Sequence, residues 1–582
     1  MTDSALRRSL VVLGLAGGML SIGSTARLLA QDSVIVIDPN APADSAELGG
    51  IPADVVSELL RTFADTGVLR LNGPVDVPAG ARMSGPVAVY RGEIVVAGQI
   101  DGPLTIVNGD LTILRTGSVT GPILVAGGRF SALPGSTVSE EPRVFSEAAP
   151  VVRQNDGTLV VREHRKTLGE LAEARATFRT GQVRTTLAIA TGKTYNRSEG
   201  LPIVFGPKFD WRASKSVVGH LEIEGILRTA SDITSSRRDV GWLARTDWRF
   251  GRRGTIGAGL KAYSQIDGVE EHTLPREEIG WNAFLFQRDY RDYFEAEGVS
   301  GYVSAAPLSM LRVDATIRYQ RESSVLANDP WSLVHNTDRW RPNPQIDDGH
   351  YLIAGAGIDF DTRPRQMDVP SGWWVRLNYE FGHSDDVSPV SLPDVVRSGL
   401  PSSDYDYHRM TLDARRFNRL TPGTGLNLRL WAGGSVGGDP LPLQRRLSLG
   451  GLDLLPGYRF RSLTCTPAGF ANPSQAALCD RMIVAQAELR SRLDLRLGFH
   501  SHDPDRFIGI SQASLVFFTD AGKPWLAGNG PGRVPSGKLP VFKEWKADLG
   551  VGLDLGGLGI YLAKALTDPE PLQVFFRLER RF

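Results

Sequence analysis

The chain has 582 residues, 64 of them glycine and 36 proline, with 65 basic and 65 acidic side chains and so no formal net charge. This length implies more than one domain, and the neutral balance gives no reason to expect a nucleic-acid partner. No segment supplies the unbroken apolar run of ~20 residues that a spanning helix needs, so any insertion into a membrane must be through strands.

Arg7 and Arg8 precede an apolar run from Leu10 to Met19, and small residues follow at Ser24-Thr25-Ala26 and again at Ala30. This is the order of a secretory signal peptide occupying 1–30 and cut after Ala26 or Ala30. The alternative is a plain N-terminal anchor, for which the run is short and broken by glycines. Export leads to an oxidising compartment, where Cys465 and Cys479 can pair. The next segment, 31–67, holds the apolar patch Ser33-Val34-Ile35-Val36-Ile37. A short helix is expected over 53–63, where Val55, Val56, Leu59, Leu60 and Phe63 recur at helical spacing.

From Val68 the character changes. Over 68–140, short Val/Ile/Leu runs recur between glycine turns, and Gly-Pro pairs at Gly73, Gly85, Gly102 and Gly121 punctuate them. Short β-branched rungs with glycine or polar corners suit a parallel β-helix, in which each rung covers the apolar face of the last; a small β-sandwich would use the same strands. The segment resembles the bactofilin-like, polymer-forming β-solenoids. Over 141–181 the periodicity fades into a linker, with a charged, Ala/Leu-rich helix expected over 163–177. Its His164-Arg165-Lys166 run reads as a solvated face or a contact for anionic head groups.

The remainder, 182–582, alternates apolar and polar residues throughout. Strands are expected at 183–191, 201–211, 217–227, 240–250, 255–265, 284–304, 311–320, 351–360, 373–381, 405–415, 425–431, 482–494 and 511–520, followed by three more at the end. In these last three, Ala547, Leu549, Val551 and Leu553 alternate with Asp548, Gly550, Gly552 and Asp554. Gly556-Gly557 turns the chain into Ile560 and Leu562. The final run sets Leu572, Val574, Phe576, Leu578 and Phe582 against Gln573, Arg577, Glu579 and Arg581. A two-faced strand of this kind makes sense if one face meets lipid, the other a wet lumen, and its edge closes onto the strand at 183–191. The total is about sixteen strands. Short connections (251–254, 307–310, 556–557) alternate with long ones (322–350, 383–404, 433–481, 521–546), as periplasmic turns alternate with extracellular loops. The fold class expected is therefore all-β: a transmembrane antiparallel barrel of about 16 strands preceded by a small parallel solenoid in the periplasm.

The loop after Trp431 passes Arg445-Arg446-Leu447-Ser448-Leu449-Gly450-Gly451 and reaches Leu455-Pro456-Gly457-Tyr458. It resembles the sixth extracellular loop of the BamA/TamA-like surface-antigen barrels, the outer-membrane assembly and two-partner secretion superfamily. Gln486-Ala487-Glu488-Leu489-Arg490 is similar to that family's next strand, and Phe518-Thr519-Asp520-Ala521-Gly522 to its Phe-x-Asp-x-Gly motif. Tyr195-Asn196-Arg197-Ser198-Glu199-Gly200-Leu201 resembles the first barrel hairpin, and Phe582 the terminal signal read by the barrel-assembly machinery. The resemblance implies a loop tip (Gly450, Gly451, Pro456, Gly457, Tyr458, Arg459) folded back into the lumen onto acidic residues of the following strands. Alternation agrees: Glu488 and Arg490 on one strand, and Ser514, Phe518 and Asp520 on the next, point inward, with Gly522 beyond them. The family's tip arginine is replaced here by Pro456. Arg459 is then the expected inward cation, facing Asp520 or Glu488. Cys465 and Cys479 lie in the same loop, where a disulfide would close a short ring.

Other chemistry is weak. Gly433-Gly434-Ser435-Val436-Gly437 matches a nucleophile elbow without its strand, turn and helix context. His500, His502, Asp503 and Asp505 cluster in one turn, and a solvated turn explains them better than a metal. His350, His383, Asp385 and Asp386 lie near extracellular loops at a spacing that specifies no reaction. No cofactor, metal or enzymatic activity is expected. By resemblance, the partners are outer-membrane lipid, the assembly machinery and a client protein or lipid moved at the outer membrane. The POTRA domains that usually serve that activity are not evident, and the solenoid stands in their place. The competing readings are an envelope anchor that self-associates through the solenoid, and a passive pore.

Overall fold

A computed structural model describes residues 34–35, 51 and 53–581, apart from 146–148, 150, 154–157, 163–173, 192–193, 215, 231–238, 252–254, 271–273, 309, 335–338, 364–369, 398, 422, 494–496, 501–506, 511–512, 556–557 and 579. The signal-peptide region, the His164 run, His502, Asp503, Asp505, the Gly556-Gly557 turn and Phe582 lie outside the described residues.

After a two-residue strand β1 (Val34–Ile35), helix α1 spans Ala53–Ala64. Its Val55, Val56, Leu59, Leu60 and Phe63 are all buried, as their spacing requires. Short strands follow: β2 (Leu69–Asn72), β3 (Val75–Val77), β4 (Arg82–Ser84), β5 (Val87–Val96), β6 (Gln99–Asp101), β7 (Leu104–Ile113), β8 (Ser118–Val119), β9 (Ile123–Ala126), β10 (Phe130–Ala132), β11 (Thr137–Val138) and β12 (Arg143–Phe145). They pair in parallel, with Leu69, Val87, Leu104 and Ile123 in register, so one rung repeats every 17 to 19 residues. Val89, Val96, Ile106, Ile113, Val119 and Val125 stack into one continuous apolar core. The segment is a parallel β-solenoid and not a sandwich. The Gly-Pro corners explain the spacing: a Cβ on Gly121 would lie 2.3 Å from the Gly102 carbonyl carbon one rung away, so successive corners stack only without side chains. Strand β13 (Val151–Arg153) pairs with β14 (Leu159–Arg162), whose other edge takes β1.

The rest is one large antiparallel sheet. Its strands are β15 (Ala174–Thr180), β16 (Val183–Thr191), β17 (Ile203–Ser214), β18 (Val217–Leu227), β19 (Val240–Phe250), β20 (Ile256–Gly268), β21 (Tyr293–Leu308), β22 (Leu311–Ser324), β23 (Gly349–Asp361), β24 (Gly372–Ser384), β25 (Tyr405–Thr421), β26 (Thr424–Gly438) and β27 (Arg481–Leu493). A side hairpin, β28 (Leu497–His500) with β29 (Phe507–Ile510), separates these from β30 (Ala513–Ala527), β31 (Arg533–Val534), β32 (Lys546–Asp554), β33 (Gly559–Ala565) and β34 (Gln573–Arg577). Every strand of the expected sixteen is present. Outward positions such as Leu260, Val303, Ile317, Phe517 and Val574 are exposed, whereas inward neighbours such as Glu488, Asp520 and Tyr561 are buried, the reverse of a water-soluble β-domain.

Four expectations need correction. The chain over 284–304 is not one strand: helix α2 (Arg276–Phe286) precedes β21, and Pro275 followed by Glu277 and Glu278 was a helix-start signal in the sequence. Ala174 to Thr177, expected at the end of a helix, is the start of β15. It pairs along β16 through seven residue pairs, because an unpaired strand edge offers more hydrogen bonds than helix propensity supplies. The glycine run at 433–437 belongs to β26, so the long loop begins at Asp439. Finally, β34 does not close on 183–191. Both edges of β16 are taken, by β15 and β17, and among the described residues β34 pairs only with β33. With β15 included, seventeen strands run antiparallel in succession, so the first and last point the same way and cannot pair antiparallel.

Candidate functional site: a plugged lumen

The loop from Asp439 to Asp480 folds back inside the barrel. It holds its own shape through three short backbone pairings, Leu447 with Cys479, Leu449 with Leu463 and Gly451 with Leu455, and through the disulfide between Cys465 and Cys479. Gly450 and Gly451 both have positive φ (107° and 106°), a turn that L side chains rarely adopt. They start the tip, where Pro456, Gly457 and Tyr458 are buried.

Three groups of contacts seat this plug. Nearest the long loops, the Asp292 carboxylate receives Arg197 (2.7 Å), Arg341 (2.6 Å) and Arg461. Arg461 also meets Glu270 at 2.6 Å, and the Ser448 N–H donates to the same carboxylate at 2.9 Å. Burial opposes the charge on Asp292, but Arg341, Arg461 and Arg197 outweigh it and hold its carboxyl well below the usual range. Burial draws Arg341 down to about 10, which leaves it charged at neutral pH. The Tyr195–Leu201 turn belongs to this group: Asn196 and Gly200 bridge, Arg197 is fully buried, and Tyr195 packs edge-on against Phe284 of α2 at 5.4 Å.

In a second group, Arg445 donates to Glu322 and, at 2.9 Å, to Glu380. Gln444 donates to Glu322 at 2.7 Å, and Asp347 accepts Arg397 and the Leu443 N–H (2.7 Å). The first two acceptors project inward from β22 and β24, so strand alternation alone aims them at the plug.

At the tip, the Gly457 N–H donates to Asp548 at 2.5 Å. A Cβ on Gly457 would sit 2.6 Å from that of Asp548 and 2.7 Å from the Ala565 nitrogen, so only glycine reaches the wall. The Tyr458 hydroxyl donates to Asp568 at 2.8 Å. Leu449, Leu454, Leu455 and Tyr458 bury against Trp431, Met482 and Val484. Gly522 allows this approach, since its Cβ would meet Leu449 at 3.0 Å.

The sequence-level partners divide. Glu488, Arg490, Phe518 and Asp520 all face inward. Glu488 pairs with Arg490 (3.1 Å), and Arg490 with Asp554. Arg459 does not make the expected inward pair: it is exposed and faces Glu570 at 3.5 Å, because the tip turns its Gly457 amide, not that side chain, toward the wall. Arg581 occupies Asp520 instead, and Arg577 meets Glu278 of α2 at 2.7 Å. The terminal alternation put both arginines on the lumenal face, but their partners lie far away in the chain and left no local signal. His350 pairs with Asp386 (2.6 Å), and His383 with Asp406 (2.8 Å) and Asp385 (3.1 Å), on the outward face. No cluster of three or more metal-ligating side chains is present among the described residues.

Another stretch of the inner wall carries its own charged network. Lys208 bridges Glu222 (2.5 Å) and Glu224 (3.1 Å), and Arg245 joins Glu222 (2.8 Å) to Asp247 (3.0 Å), on a half-buried inner wall. The long-loop end is thus closed by buried ion pairs.

Residues 273–557 match the Omp85 superfamily domain. Among solved structures, BamA from Haemophilus ducreyi lacking POTRA domains 1–3 is similar at 12% identity and a TM-score of 0.41, over 70% of this chain and 74% of that one. CdiB from Acinetobacter baumannii is similar at 10% identity and a TM-score of 0.30, over 72% and 68%. Among curated proteins, the anti-sigma-W factor RsiW of Bacillus subtilis is 42% identical over 52 residues, which is 9% of this chain and a quarter of that protein's length. The Omp85 match thus spans α2, the plug loop and the strands from β21 to β32 of the large antiparallel sheet.

Proposed function

We propose that the protein moves or assembles polypeptides at the outer membrane, with its solenoid in the periplasm and its long loops outside. Lipid is the alternative cargo. The observation that carries this reading is the plug: loop Asp439–Asp480 fills the long-loop end of the barrel through buried ion pairs, while among the described residues the sheet ends on strands paired along one edge only. A plugged barrel with incompletely paired end strands fits transient opening for a passenger better than a standing pore. The Omp85 domain supports the same reading. Neither cofactor nor catalysis enters into it.

A second reading has its own observation. Strand β2 pairs only with β5, and β12 only with β9, so both ends of the solenoid stack carry open edges among the described residues. Bactofilin-like stacking of these ends would make the barrel an envelope anchor. Photo-crosslinking in cells from the exposed solenoid residue Arg82 separates the two. Adducts with exported proteins, together with an altered outer-membrane proteome on depletion, are expected for transport. Adducts with the chain itself and an unchanged proteome would overturn it in favour of the anchor.

A further inference from the structure

Asp520 on β30 and Asp548 on β32 stand directly opposite each other, and both are buried. Two buried carboxylates on facing positions repel, and they stay folded only if a cation or donors are delivered to them. The loop tip delivers one backbone N–H, from Gly457 to Asp548, and its own Arg459 faces away. The cation arrives from the end of the chain. The Arg581 guanidinium is buried, bonds Asp520 and lies 3.9 Å over the Phe518 ring. Four residues earlier Arg577, also buried, reaches Glu278 of α2 at 2.7 Å and Asp453 of the plug at 3.5 Å, and donates to the Leu452 carbonyl at 3.3 Å.

We propose that the C-terminal segment is the latch of the plug, with Arg581 as the positioning residue that keeps the loop tip seated. Arg581 neutralises Asp520, which lets Asp548 remain against the wall as the acceptor for Gly457. Arg577 fastens the same segment to α2 and to the plug. Without Arg581 the two carboxylates face each other uncompensated beneath the tip, and the tip loses its acceptor as they separate. Since β34 is held along one edge among the described residues, its tail and the plug form a mechanical unit: displacing the tail unseats the loop, and lifting the loop frees the tail. The latch concerns closure of the barrel alone, whatever cargo the barrel carries.

The test uses the full chain, refolded from urea into detergent micelles, checked for a heat-modifiable folded band, and placed in planar bilayers. Wild type should be closed for most of the record. Arg581→Gln is expected to raise open probability about tenfold or more, Arg581→Lys to restore much of the closure, and Arg459→Gln to change nothing. A folded Arg581→Gln barrel as closed as wild type would overturn the proposal. If that variant does not fold, Arg577→Gln releases the same segment from α2 and the plug with the Asp520 pair intact: opening supports the latch and wild-type closure overturns it. If neither folds, the charge-swapped Asp520→Arg, Arg581→Asp chain decides, since recovery of a closed barrel requires the pair and failure to recover refutes it.

Discussion

Single residues at the plug carry requirements that can be checked one at a time. Gly457 has no room for a methyl group between Asp548 and Ala565. Gly457→Ala should therefore cost about 1–3 kcal/mol, as overpacking does, and lower the thermal midpoint of the detergent-solubilised barrel; an unchanged midpoint would mean that the tip is not seated on the wall. At Asp292, three guanidiniums hold the folded-state pKa below its ordinary value. A depressed carboxylate contributes stability that is fully present above its unfolded pKa and is lost as pH falls through the folded one. The loop-end closure should therefore resist pepsin down to pH values below the usual carboxylate range and fail only under stronger acid. Asp292→Asn should lose that resistance and already be cut at mild pH, since removing one partner of a buried ionic cluster costs about 3–5 kcal/mol.

At the scale of elements, the loop and the first strand are the informative pieces. The disulfide closes a ring between residues 14 apart in sequence, a constraint on the unfolded loop of about 3 kcal/mol in the chain-entropy picture. Reduction, or Cys465→Ser with Cys479→Ser, should leave the barrel strands folded and make the segment between Asp439 and Asp480 protease-sensitive; undiminished protection would show that the ion pairs suffice. The hydroxyls of Thr177 on β15 and Thr186 on β16 lie 3.2 Å apart. The paired substitutions Thr177→Cys and Thr186→Cys should crosslink on mild oxidation, and absence of the crosslink would argue that β15 does not lie along β16. Strand β15 was hidden from the sequence because its Ala/Arg/Thr composition favours helix as readily as strand. It is the neighbouring edge, not propensity, that makes it extended.

For the whole molecule, the apolar cores are separate: one set joins α1 to the solenoid rungs, and the others lie within the barrel and its loops, with no cluster spanning both among the described residues. Ile106→Ala, at a fully buried rung position, should cost the solenoid about 2–5 kcal/mol and leave the heat-modifiable barrel band unaffected, a pattern readable by circular dichroism melting alongside gel mobility. The sequence by itself determined the two architectures, because both rest on local periodicity: rungs of β-branched residues with glycine corners stack, and period-two alternation fixes which side chains enter the lumen. It therefore placed Glu488, Phe518 and Asp520 inside and the cysteines in the long loop. Only the tertiary structure decided what those side chains meet. Arg581 lies 61 residues beyond Asp520, and Arg461 lies 169 residues beyond Asp292. Charge pairing at such separations depends on how a loop and a terminus fold back into a closed space. Alternation says that a residue faces inward but not at what depth, so Arg459, the cation beside the loop tip in sequence, ends in solvent while the end of the chain supplies the cation for Asp520.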